Sequence, residues 1–129
     1  MILADTSAWV EFLRATGSEA NLRLRALIEG DQLATTDVVL MEVLAGARDD
    51  GHRDRLRALL ARCEFVPIAG PRDYEDAAEI YRACRQAGHS VRALTDCLIA
   101  SVAMRAGLVL LHTDRDFDAI ARHAPLEIA

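Results

Sequence analysis

Lysine is missing from this 129-residue chain: all 15 basic residues are arginine, set against 20 acidic ones for a net charge of −5. That balance does not advertise nucleic-acid binding through bulk charge. Any phosphate contact must come from Arg, whose planar fork suits bidentate recognition. A genome rich in Arg and Ala codons explains the missing Lys equally well. Aromatic residues number only six, too few for a base-stacking platform, so Trp9, Phe12 and Phe117 read as core. No apolar run approaches the roughly 20 residues of a membrane span. No basic leader precedes Asp5, so a signal peptide is not expected. Cys63, Cys84 and Cys97 form no CxxC pair and are odd in number. They predict reduced thiols in a cytosolic (cytoplasmic) protein rather than disulfides or a zinc site. There is no GxGxxG and no P-loop, and neither Ser7 nor Ser101 has a His and Asp set beside it.

Hydrophobic residues make up 52% of the chain, enough for the core of one domain spanning 1–129. Short apolar runs predict strands at Ile2–Ala4, Leu33–Thr35, Phe65–Ile68, Leu108–Leu111 and, at an edge, Leu126–Ile128. Helical spacing fills the gaps. It predicts helices over Ala8–Leu13, Glu19–Ile28, Val38–Ala45 (capped by Asp37, stopped by Gly46), Arg53–Cys63, Arg72–Ala87, a central apolar one from Leu94 to Gly107, and Asp116–Ala121. Alternation of this kind predicts an α/β fold, with a mainly parallel sheet of four to five short strands and helices on both faces. Ligands of such sheets bind beyond the carboxyl ends of the strands.

Five acids stand where apolar elements end or turn a face outward. Asp5 follows the first strand, where it either caps a helix or serves a ligand. Glu42 lies on a helix that is apolar nearly all round, with no basic residue three or four positions away. Such a helix is expected to be buried, and a buried lone carboxylate needs a partner or a metal. Asp96 sits in the first turn of the central helix, which the helix dipole alone also favours. Asp114 follows the strand at Leu111, and Asp116 is either a further ligand or a first-turn acid. His112 is expected to be a satisfied core histidine, while His52, His89 and His123 lie in polar or terminal settings. Taken singly, each acid has an ordinary explanation. Gathered at one end of a sheet they would repel and raise one another's pKa values, a conflict that a hard cation such as Mg²⁺ or Mn²⁺ relieves. Such a centre suits phosphate chemistry. Receiver domains and aspartyl-phosphate phosphatases are excluded: both generally need a Lys, and the phosphatases want a second Asp where Ser7 stands.

Four stretches, Asp5-Thr6-Ser7-Ala8-Trp9, Met41-Glu42-Val43-Leu44-Ala45-Gly46, Leu94-Thr95-Asp96-Cys97-Leu98-Ile99-Ala100 and Thr113-Asp114-Arg115-Asp116-Phe117, together resemble the four motifs of PIN domains. They are most similar to those of toxins from VapBC-type toxin–antitoxin pairs. The resemblance spans essentially the whole chain. It implies an endoribonuclease dependent on Mg²⁺ or Mn²⁺, with Asp5, Glu42, Asp96 and Asp114 as catalytic, metal-holding acids and Asp116 as an accessory metal ligand. Thr6, Ser7 or Thr113 would support those carboxylates. It also implies RNA substrates such as tRNA or rRNA, cut to leave a 3′-hydroxyl and a 5′-phosphate. A homodimer and a cognate VapB-type antitoxin are expected, with no membrane partner. Arg48, Arg85, Arg92 and Arg115 flank the proposed site as candidate phosphate contacts or plain surface residues. Two other readings are a non-catalytic PIN-like interaction module, against which an intact set of acids speaks, and a metal-dependent phosphoesterase acting on DNA or a small ester.

Overall fold

Ile2–Ala4 (β1), Leu33–Thr35 (β2) and Val109–Leu111 (β4) are only three residues long, yet they form the middle of the molecule. In the computed structural model, which describes residues 1–129, Leu3, Ala4, Leu110 and all of β2 are buried. Strands covered on both faces carry apolar residues on both sides, which is why these runs do not alternate. A fourth strand, Glu64–Phe65 (β3), completes a parallel sheet in the order β3-β2-β1-β4. Leu3 pairs with Ala34 on one side and Leu110 on the other. Beyond β4, Ile128 adds a single parallel bridge to Leu110 in place of the expected edge strand.

Helices Thr6–Leu13 (α1) and Glu19–Glu29 (α2) join β1 to β2. Asp37–Ala45 (α3) and Asp50–Leu60 (α4) join β2 to β3, and Pro71–Gln86 (α5) and Leu94–Ala106 (α6) lead back to β4, before Arg115–His123 (α7). The chain steps outward from β1 to β3, then returns to the far side of β1. Right-handed crossovers in opposite directions place the two sets of helices on opposite faces. Trp9, Phe117, Leu24, Ile99 and Ile120 are fully buried within one apolar cluster of 27 residues. Cys84 and Cys97 are buried free thiols and Cys63 is half-buried. No helix is long and apolar enough to cross a membrane.

Several boundaries differ from the sequence expectation, each for a visible reason. Asp37 does not cap α3; Thr36 holds that position, and Asp37 Oδ2 instead accepts the Ile68 N–H at 2.7 Å. The same contact shortens the third strand. After Val66 donates to Thr35, Pro67 has no N–H to give, and the next two amides turn to the side chains of Asp37 and Asp73. Helix α4 begins earlier than expected because Asp49 caps it, accepting from His52 at 2.7 Å. Helix α3 is not buried all round: Met41 is 60% exposed. At the end of α6 the chain turns at Gly107 with φ +67°, where a side chain would be strained.

Candidate metal centre

Strand order reverses at β1, whose neighbours β2 and β4 are reached in opposite directions. The crevice beyond the carboxyl ends of β1 and β4 is the switch point of the sheet, where ligands of such folds sit. Asp5 follows β1, Asp114 follows β4 by a short turn, and the N-terminus of α6 presents Asp96. One carboxylate oxygen from each of Asp96, Asp114 and Asp116 lies within 4.8 Å of the others. Asp5 and Glu42 complete the group at longer range, since the charges of all four other acids act on Asp96.

Asp5 is 3% exposed and caps α1. Its Oδ2 accepts both the N–H and the hydroxyl of Ser7, at 2.9 and 2.7 Å. Its Oδ1 is buried with no hydrogen-bond partner. The Ser7 hydroxyl in turn accepts the Thr113 N–H at 3.0 Å, joining the loop after β1 to the loop after β4. Thr6 donates to Glu42 Oε1 at 2.8 Å and so orients the acid from α3. Burial pushes the Asp5 carboxyl above its ordinary value, the Ser7 bonds oppose it, and the Asp114 charge adds to it. Asp96 moves further: burial first, then the charges of Asp5, Asp114, Asp116 and Glu42, carry it up to about 7.

Asp114 and Asp116 are held differently. Asp114 caps α7; its Oδ1 accepts the Asp116 N–H at 3.0 Å and Arg92 Nη2 at 2.7 Å. Its own N–H donates to His112 Nδ1 at 3.1 Å. His112 is the satisfied histidine expected: its ring packs 5.2 Å from Phe117, and Nε2 lies 3.3 Å from Asp118. Both oxygens of the buried Asp116 are engaged, Oδ2 by the Arg92 N–H and Nε at 3.2 and 2.9 Å, Oδ1 by His89 Nε2 at 3.3 Å. Burial alone would raise the Asp116 carboxyl, but Arg92 and His89 outweigh it and hold it below the usual range.

An all-oxygen set with one orphaned buried carboxylate oxygen and two carboxyls raised by burial and by neighbouring charge fits a hard divalent cation. Asp5, Asp96 and Asp114 have oxygens free to serve it, with Glu42 at the margin. The anchoring of Arg92 and His89 on Asp114 and Asp116 has no sequence signal, because each contact joins side chains 22 to 27 residues apart.

The PIN-domain family model matches residues 2–123. The chain belongs to the PIN-domain family. Ribonuclease VapC11 of Mycobacterium tuberculosis is 45% identical over 131 aligned residues, which cover 100% of this chain and 98% of that protein. Among solved structures, this PIN domain superposes with a TM-score of 0.78 on a chain of VapBC2 from Rickettsia felis bound to a promoter DNA fragment. That match is 20% identical and covers 100% of this chain and 98% of the other, a likeness of fold alone. A toxin–antitoxin complex from Klebsiella pneumoniae matches at TM-score 0.67 and 28% identity, over 99% of this chain and 100% of that one. The acids of this PIN domain therefore sit at the switch point of a fold that toxin–antitoxin complexes share.

Proposed function

We propose that residues 1–129 form one PIN domain that acts as an endoribonuclease, the toxin of a VapBC-type pair. In this reading it hydrolyses RNA phosphodiester bonds with Mg²⁺ or Mn²⁺ held by Asp5, Glu42, Asp96 and Asp114. The observation that carries the metal reading is Asp5 Oδ1, buried without a protein donor beside a carboxyl already forced up by burial and by its acidic neighbours. Full-length similarity to a protein named as a ribonuclease supports the substrate class.

The chain's own residues have separable tasks. Ser7 fixes the orientation of Asp5 and ties it to the Thr113 loop. Thr6 turns Glu42 toward the same crevice. Asp96, with its carboxyl near 7, yields its proton readily at neutral pH when a cation arrives. A bound divalent ion supplies an activated water and neutralises phosphoryl charge. A cognate VapB-type antitoxin is the expected partner, and the protein works as a homodimer. The exposed Tyr74 and Leu94, which line one apolar groove with Ala77, Ala78 and Leu98, suit burial against another chain.

Cleavage of a pool of tRNA and rRNA, with single-stranded DNA alongside, tests the reading. Wild type is expected to cut RNA with Mg²⁺ or Mn²⁺ and not in EDTA, and Asp96→Asn to cut nothing. Cutting that persists in the variant, or a preference for DNA, contradicts it.

A further inference from the structure

Arg92 is held more firmly than neutralising nearby acids requires. Its backbone N–H and Nε both reach Asp116 Oδ2, and its Nη2 reaches Asp114 Oδ1. One edge of the planar guanidinium therefore spans two carboxylates. The side chain is nevertheless 63% exposed, and Nη1 makes no contact with a protein acceptor. Through Nη2 the side chain touches Asp114, one of the acids whose oxygens, with those of Asp96 and Asp116, lie within 4.8 Å of one another. Asp116, by contrast, is 2% exposed and has partners on both oxygens, all from the loop that carries His89 and Arg92.

The other flanking arginines lack this arrangement. Arg85 lies over the Tyr81 ring at 5.7 Å. Arg115, next to Asp114 in sequence, is exposed and forms no ion pair. Arg105 is pinned by a buried acid as Arg92 is, with Nη2 on the Pro67 carbonyl at 2.8 Å, but it stands in the last turn of α6, at the opposite end of that helix from Asp96. Arg92 alone combines a fixed guanidinium, a free donor edge and a place at the acidic centre.

Building on the nuclease reading, we propose that Arg92 is a catalytic residue whose free guanidinium edge contacts the non-bridging oxygens of the scissile phosphate. Asp116 is then a positioning residue that holds Arg92, not a metal ligand. In the hydrolysis, water adds to phosphorus, the P–O3′ bond breaks and the 3′-oxygen takes a proton. Arg92 transfers none of these protons. It supplies fixed donors where negative charge grows, and because the carboxylates have already immobilised it, little side-chain freedom is lost when RNA binds.

Five variants and two readouts test the proposal. Binding of Mn²⁺, followed by the EPR signal of the free ion, is measured beside kcat/KM on a single-stranded RNA. Arg92→Gln is expected to bind Mn²⁺ at least as tightly as wild type, since a competing positive charge is gone. Its kcat/KM is expected to fall about 100-fold, the usual loss when one fixed donor to a transition state is removed. Asp116→Asn is expected to keep Mn²⁺ affinity, lose activity in the same direction, and add nothing in the double variant with Arg92→Gln. Asp114→Asn is expected to lose Mn²⁺ affinity. If Asp116→Asn does not fold, Arg92→Lys serves instead: it keeps the charge but not the fork, and is expected to recover less than about a tenth of the lost activity.

Wild-type kcat/KM in Arg92→Gln, full recovery in Arg92→Lys, or loss of Mn²⁺ binding in Asp116→Asn overturns the proposal. Each of those results leaves the nuclease reading standing. A wild-type protein that binds Mn²⁺ and cuts no RNA defeats the nuclease reading, and the role of Arg92 with it.

Discussion

Asp73 and Asp116 occupy nearly the same niche in two parts of the molecule. Each lies in the first turn of a helix, α5 or α7, and each is buried. Each accepts a guanidinium Nε at 2.9 Å, from Arg105 or Arg92, and a backbone N–H besides. Burial works to raise both carboxyls, and in both the pairing outweighs it and leaves the group below its ordinary value. The difference lies in the surroundings. At Asp73 one Arg answers one acid, and the pair joins α5 to the end of α6. At Asp116 one Arg serves two acids, while Asp5, Glu42 and Asp96 nearby form no ion pair. The same local chemistry that fastens the fold when charges balance marks a functional centre when negative charge is left over.

Asp5→Asn and Asp73→Asn sharpen that contrast most. Asp5→Asn is expected to lose about 100-fold or more in RNA cleavage, as when a single fixed group at a reacting centre is removed. Its metal-free melting temperature should not fall, because a crowded buried charge disappears. Asp73→Asn should do the reverse. Losing a charge-assisted bond to Arg105 costs about 2 kcal/mol, toward the lower end for buried pairs because Arg105 keeps 32% of its side chain in water. That corresponds to a drop of roughly 6–10 °C in Tm for a domain of this size, with cleavage unchanged at a temperature where the variant is folded. Calorimetry beside a cleavage assay reads both, and equal loss of activity in the two variants would abolish the distinction.

The contrast also has a pH signature in chelator. Asp96 rises from 3.8 to about 7 on folding, so between those values the folded protein binds more protons than the unfolded chain. Stability of the metal-free protein must then fall as pH rises from about 4 to about 7. Discounted for the partial exposure of Asp96, the fall is roughly 1–2 kcal/mol. Asp5 contributes in the same sense, and Asp73 and Asp116 in the opposite one, their stabilisation being lost only in stronger acid. Melting curves across this range should slope downward for wild type and flatten for Asp96→Asn. A wild-type Tm that climbs steadily from pH 4 to 7 would contradict the crowding of these acids.

Much of this arrangement is legible in the sequence because burial and element type leave local marks. Asp5, Asp96 and Asp114 announce themselves as acids at the ends of apolar elements, and a parallel α/β reading sends those ends to one side of the sheet. Glu42 stands out on an apolar helix, although Met41 shows that this helix has an open face. What periodicity does not carry is pairing between distant side chains. Nothing near Asp116 in sequence points to Arg92, 24 residues earlier. Nothing near Asp37 reveals that it serves Ile68 rather than its own helix. Phe65–Ile68 has the composition of a strand, but the competing acceptors that draw its amides away lie elsewhere in the chain.

The smallest effect expected belongs to Thr6. Its hydroxyl donates to Glu42 Oε1 across 36 residues of sequence and is the hydrogen bond that fixes Glu42 in the crevice. Thr6→Val preserves the shape and removes that donor. A half-buried bond of this kind contributes about 0.5–1.5 kcal/mol, which appears as a few degrees or less in Tm. Glu42 would then rotate more freely. If it serves the cation, apparent Mg²⁺ affinity in the cleavage assay should weaken several-fold, with the rate at saturating Mg²⁺ nearly restored. If Glu42 plays no part, the Mg²⁺ dependence of Thr6→Val will overlay that of wild type. The titration thus separates the acid at the margin of the centre from Asp96 and Asp114, whose oxygens lie at its heart.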